Sequence, residues 1–249
     1  MKQRVSRICI FIVIVTVLLS PQTVFCDEAE EAGGPWSANL GLGYTTTRGN
    51  SETDNVALTG QAVREMEKSK WSNLLNFTYA TTEGDKAANK GGFKTQYDFI
   101  PSERIFYFGK FGIEYDEFAE LDLRTSPGGG VGFVLMKQEK ANLSATVGAN
   151  AVSDFFSDGT DDHRGMLAFG EEYTRDLTAS ASVFQSFNIQ NNFEEFDDYL
   201  IDFELSLMTK VSESLSLKAS FIDKYDSTPF SPDLEKNDVT ILTSLNYSF

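Results

Sequence analysis

The sequence predicts an all-β protein: a transmembrane, antiparallel, up-and-down β-barrel of about twelve strands behind an N-terminal signal peptide. Three observations carry the prediction. Apolar and polar residues alternate with period two from residue 36 to the C-terminus. The connections between alternating segments are short and long in turn. After residue 35 no apolar run is long enough for a spanning helix.

The N-terminal segment reads as an address. Lys2, Arg4 and Arg7 precede the apolar run Ile8 to Leu19, which Ser20-Pro21 then breaks. That is the order of a secretory signal, and the run is short for a helical span of about 20 residues. Cleavage after Cys26 would follow Val24-Phe25-Cys26, which is not a clean small-x-small site. The expected organisation is a signal peptide over 1–26, a short acidic linker over 27–35 and an outer-membrane barrel over 36–249. Both cysteines, Cys9 and Cys26, fall in the signal, so the mature chain has neither a disulfide framework nor a thiolate metal site. A lipidated Cys26 is the rival, and the bulky Phe25 before it fits that poorly.

The charge excludes some partners. The net charge is −16, and loss of Lys2, Arg4 and Arg7 takes it to −19. Such acidity argues against binding nucleic acid. At 249 residues the chain suits one undivided β domain.

The strands follow in order. Trp36, Ala38, Leu40, Leu42 and Tyr44 alternate with Ser37, Asn39, Gly41 and Gly43. Val56, Leu58, Gly60 and Ala62 form the next apolar face, then Trp71, Leu75, Phe77 and Tyr79, then Phe93, Thr95, Tyr97 and Phe99. Ile105, Tyr107, Phe111, Ile113 and Tyr115 continue it, although Phe106 and Phe108 sit on the polar side. The segment Leu123 to Leu135 is glycine-rich and its faces are ambiguous. Further strands are expected at 141–151, 164–174, 177–189, 199–210, 215–225 and 239–249. Each has roughly the ten residues that a tilted membrane strand needs.

With the N-terminus in the periplasm, even-numbered connections should be short. Pro101 to Arg104, Lys137 to Lys140, Arg175-Asp176 and Ser212 to Ser214 are. Longer outer loops are expected at 52–55, 84–89, 116–122, 157–162, 190–198 and 226–237. Aromatic pairs spaced eight apart, Trp36 and Tyr44, Trp71 and Tyr79, Tyr107 and Tyr115, recur on ascending strands. Eight residues rise about 27 Å along a strand, or roughly 20 Å across the membrane at a tilt near 40°, which approaches the apolar band of about 25 Å between two aromatic girdles. Phe249 ends the last strand at the interface, a terminal aromatic of the kind read by the outer-membrane assembly machinery. A soluble sandwich would also alternate, but here the polar face carries charges on most strands, which suits a wet interior behind a lipid-facing wall.

These residues resemble a known family. Trp36 to Tyr44 followed by Thr47-Arg48-Gly49-Asn50-Ser51-Glu52-Thr53 is similar to the first strand and Gly-Asn-x-x-Thr turn of the salt-induced outer membrane protein family (YdiY-type). Tyr107-Phe108-Gly109, Asp116, Leu121 to Arg124, Gly132-Phe133, the Pro229 loop, Asp238 and Tyr247-Ser248-Phe249 agree in order. The resemblance implies an outer-membrane barrel and a link to salt or osmotic conditions. It implies no activity, because that family's function is unknown.

The chemistry is sparse. The lone histidine, His163, lies beside Asp161 and Asp162 and reads as a solvated loop residue rather than the base of a lipid hydrolase. Ser157 to Asp162 and Glu194 to Asp198 lack the spacing of a calcium loop and read as solvated acidic loops near lipopolysaccharide. No cofactor, metal or catalytic residue is assigned. The interior is the candidate site: Lys94, Asp98, Lys110, Glu114, Asp116, Arg124, Arg164, Glu172, Asp202, Glu204, Lys218 and Lys224 should face inward. The expected function is a small passive channel in the Gram-negative outer membrane. The alternative is a non-conducting envelope protein that meets lipopolysaccharide or partners through acidic loops; the oligomeric state is open.

Overall fold

The computed structural model describes residues 33–47, 53–231 and 234–249. The expected signal peptide, most of the linker and the turn residues Arg48 to Glu52 lie outside them. Among the described residues thirteen strand segments form one antiparallel sheet: β1 (Gly33–Thr47), β2 (Thr53–Met66), β3 (Ser69–Thr82), β4 (Asp85–Ser102), β5 (Ile105–Asp116), β6 (Leu121–Thr125), β7 (Gly128–Gln138), β8 (Ala141–Phe156), β9 (Asp161–Asp176), β10 (Ala181–Asn192), β11 (Tyr199–Lys210), β12 (Leu215–Asp226) and β13 (Asn237–Ser248). Segments β6 and β7 both run between β5 and β8, so they are two pieces of one stave, and the wall has twelve staves. Pro127 makes the break, since it has no N–H to give to a ladder.

The wall closes where β13 meets β1, in the register Asn39↔Ser248 to Leu42↔Leu245. The backbone N–H of Phe249 donates to the carbonyl of Ala38 at 2.9 Å. Closure leaves no open edge, the condition a sheet must meet in lipid. Strand β1 starts at Gly33, which pairs with Met66, so the wall begins three residues before the expected Trp36.

The start of β1 and the end of β13 lie at one rim, here the near rim. Its turns are short, such as Glu67-Lys68, Glu103-Arg104 and Glu139-Lys140. The turn expected at Arg175-Asp176 falls later, at residues 177–180, because both residues pair with β10. Far-rim connections reach ten residues between β12 and β13. One expected long loop is corrected. Residues 85–89 continue β4, and Glu83-Gly84 alone make the turn. Their φ angles of 53° and 85° are those of a two-residue hairpin turn whose twist matches the strands.

The outward face is the apolar one. Leu42, Tyr97, Leu135, Phe169, Leu205, Leu217 and Ile241 are all exposed. Of the interface aromatics, Trp36, Tyr44, Trp71, Tyr79, Tyr107 and Phe249 are exposed on this face, while Tyr115 is half-covered. The Trp71 indole donates to Thr95 Oγ1 at 2.8 Å, which satisfies its one polar atom.

The inward face also explains the glycine segment. Phe106 stands opposite Gly132 and Phe108 opposite Gly130 in the β5–β7 register. A Cβ on Gly130, Gly132 or Gly148 would run into those rings or into neighbouring backbone. The glycines therefore let two inward phenyl groups lie against the wall. Phe106 and Phe108 are thus on the inner side, as their parity demands, and the faces of the glycine segment are fixed by what packs on it.

Candidate functional site: the charged lumen

Strand parity places Lys90, Lys94 and Asp98 of β4 on the same side as Lys110, Glu114 and Asp116 of β5. Some of their partners are on the neighbouring strand and others lie across the lumen. Lys94 Nζ is 2.9 Å from Glu114 Oε1, and Lys224 Nζ of β12 is 3.8 Å from Glu114 Oε2. Strands β5 and β12 are six staves apart in either direction around the wall, so this pair joins opposite sides. Lys90 pairs with Asp238 of β13, four staves away, and lies 3.8 Å from Asp116. Asp116 also caps the 3₁₀ turn Glu117–Ala119, accepting from Phe118 N at 3.0 Å. Glu204 and Lys218 pair at 2.9 Å on β11 and β12, beside a Ser206–Ser220 hydroxyl contact of 2.9 Å.

The lumen is wet at this level. Although they point inward, the Lys94 and Lys224 side chains are 48% and 46% exposed. Glu172 is exposed too, whereas Asp98 is buried and accepts from Gln96 Nε2 at 2.8 Å.

Near the far rim the same chemistry is dry. Asp154 is fully buried and receives Arg124 through Nε at 2.6 Å and a terminal nitrogen at 2.7 Å. Arg164 donates to Asp154 at 2.7 Å and to Asp198 at 3.0 Å. Asp198, in the β10–β11 connection, also accepts from Asn192 and Thr228. Burial opposes its charge, but the hydrogen bonds from Thr228, Asn192 and Arg164 outweigh burial and hold its carboxyl below the usual range. Met166, Val152 and Leu200 form an apolar cluster beside this network. Above it, Phe230 of the β12–β13 connection stacks on Phe156 at 4.2 Å and 19°.

Sequence reasoning named Arg124 and Arg164 but missed Asp154, Lys90 and Asp238, and its reading of Asp198 as part of a solvated acidic loop is corrected, since Asp198 is buried. Extending the β8 alternation past Asn150 would have reached Asp154. Lys90 was hidden by the assumed 84–89 loop. Nothing local marks Asp198, whose partners come from three other segments.

His163 is corrected in position. It belongs to β9, not to a loop, and stands opposite Ser153 in the β8–β9 register. Its Nε2 is 2.9 Å from Asp161, and both side chains are more than half exposed. No hydrogen bond links it to Ser153 among the described residues, so the three do not form a charge relay. In the 157–160 turn, Asp158 accepts from Thr160 N and Oγ1 at 2.8 and 2.7 Å. The Thr160 hydroxyl and amide hold its carboxyl below the usual range.

A closed twelve-stave wall with a lipid-type outer face and a charged lumen defines a porin-like barrel of the outer-membrane type. The chain belongs to the family described as "Protein of unknown function, DUF481", matched over residues 40–249. Among solved structures it is similar to the NanC porin, with a TM-score of 0.51 at 8% identity, covering 86% of this chain and 98% of that one. The KdgM porin gives 0.45 at 7% identity, covering 86% and 99%. The translocator domain of the autotransporter NalP from Neisseria meningitidis gives 0.45 at 10%, covering 88% and 90%. At such identities the likeness is one of fold. Among curated proteins none matches.

Proposed function

We propose that this protein is a small passive channel of the Gram-negative outer membrane, passing ions and small hydrophilic solutes, with its near rim in the periplasm. One observation carries the reading: the lumen is crossed by the Lys224–Glu114 pair, yet the Lys224 side chain stays 46% exposed to water and that of Glu114 21%. A sealed interior would bury them, and a wide pore would leave them too far apart to meet. The channel is therefore narrow, with a hydrated charged constriction. Single-channel recording in planar bilayers tests this. Small, ohmic steps are the expected result, and a correctly folded but silent barrel would overturn it.

Salt should act on the constriction. The screening length falls from about 8 Å at physiological ionic strength to about 3 Å at 1 M, which weakens a hydrated pair at this separation. The family is compatible with the salt-induced resemblance, and we assign the channel to growth at high salt or osmotic stress. Outer-membrane lipid and lipopolysaccharide are its surroundings, and the strand ending at Phe249 is the segment offered to the assembly machinery. The competing reading, a non-conducting envelope protein, draws on the Phe230–Phe156 stack at the far mouth. It gains only if conductance is absent.

A further inference from the structure

Of the inward charges named from the sequence, most have an oppositely charged partner within reach; Asp98, Glu172, Lys110 and Asp202 do not among the described residues, and Lys110 is the cation of these four. Lys110 on β5 and Asp202 on β11 have no opposite charge within 4.0 Å among the described residues. Lys110 is on the wall that carries Lys94, and its ammonium lies 5.9 Å from the Phe108 ring centre. Asp202 stands directly beside Lys224 in the β11–β12 register, but the Lys224 ammonium reaches across the lumen to Glu114 instead. Strands β5 and β11 are five staves apart on the shorter path, so the two face each other from nearly opposite walls. No ion pair within 4.0 Å closes the gap between them among the described residues.

A gap with an unpaired cation on one side and an unpaired anion on the other suits a solute that carries both signs. A net anion would be drawn to Lys110 and repelled by Asp202, and a net cation the reverse. A neutral solute would displace ordered water without replacing its bonds. A molecule with a carboxylate and an ammonium group meets both walls at once.

We propose that the constriction between Lys110 and Asp202 favours passage of small zwitterions over neutral solutes of equal size. This rests on the channel reading above. Liposomes holding the whole barrel are challenged at low ionic strength with the free amino acid glycine, a zwitterion, or with glycolamide, its neutral isostere, and swelling is followed by light scattering. The expected result is faster entry of the zwitterion by about threefold, the preference that one or two hydrated ion pairs supply. High salt should remove it by screening.

Lys110→Gln and Asp202→Asn should each abolish the preference while glycolamide entry persists, with heat-modifiable gel migration confirming that both variants fold. Equal rates in the parent, or a preference that survives both substitutions, would overturn the zwitterion proposal. A conducting barrel with equal rates would leave the channel standing. Loss of both conductance and swelling would overturn the two together.

Discussion

The lumen contains two groups of charges built from the same residue types. Around Glu114 the pairs are hydrated, with lysine side chains nearly half exposed. Around Asp154 the network is dry, with arginine forks closing on a fully buried carboxylate. The difference teaches that charge in a barrel is not one kind of feature. Hydrated pairs are worth about 0–1 kcal/mol each and are free to exchange partners with a passing solute. A buried network ties strands and rim connections together, because removing one member strands the others without water. Lysine, a flexible point charge, serves the first group, and planar arginine the second.

The largest test of this contrast is Asp154→Ala. It leaves Arg124 and Arg164 facing each other in a buried site and should cost about 3–5 kcal/mol in unfolding by denaturant. A loss below that range would mean the network is wetter than its burial shows. Next comes Gly130→Ala. The new Cβ meets the backbone of β8 and the Phe108 ring, so a loss of about 1–3 kcal/mol is expected in the same assay.

A smaller, pH-dependent effect belongs to Asp198. Its folded carboxyl is held below the unfolded value, so it binds fewer protons when folded. Its contribution is therefore present at neutral pH and lost as pH falls through the folded value. Melting of the parent and of Asp198→Asn should differ at pH 7, and the difference should shrink below the ordinary aspartate range near about 3.9.

The smallest stability effect is expected from Glu114→Gln, within about 1 kcal/mol of the parent. Its effect should appear in conductance, which rises as the cross-lumen pair is lost. Lys94 and Lys224 would then bias the constriction towards anions, a shift that reversal potentials in a salt gradient read directly. If stability fell by as much as for Asp154, the distinction between the two groups would fail.

The wall was legible because alternation is local. A strand turns successive side chains to opposite faces, so the identities of Trp36 to Tyr44 or Leu215 to Tyr225 report their own orientation. Connections were less legible. The 85–89 stretch is polar and reads as a loop, yet it pairs with β3 and keeps the hairpin turn to two residues. The glycine segment resisted assignment because its meaning lies on another strand, in Phe106 and Phe108.

By itself, then, the sequence determined the class of fold, the apolar outer face and the polarity of the inner one, since each depends on spacing within a strand. Only the tertiary structure decided which charges meet. Glu114 and Lys224 are 110 positions apart in the chain, and closure of the wall brings them together from opposite sides. Whether a charge is dry like Asp154 or wet like Lys94 depends on neighbours supplied by other strands and by the far-rim connections. Local periodicity carries no information about those neighbours.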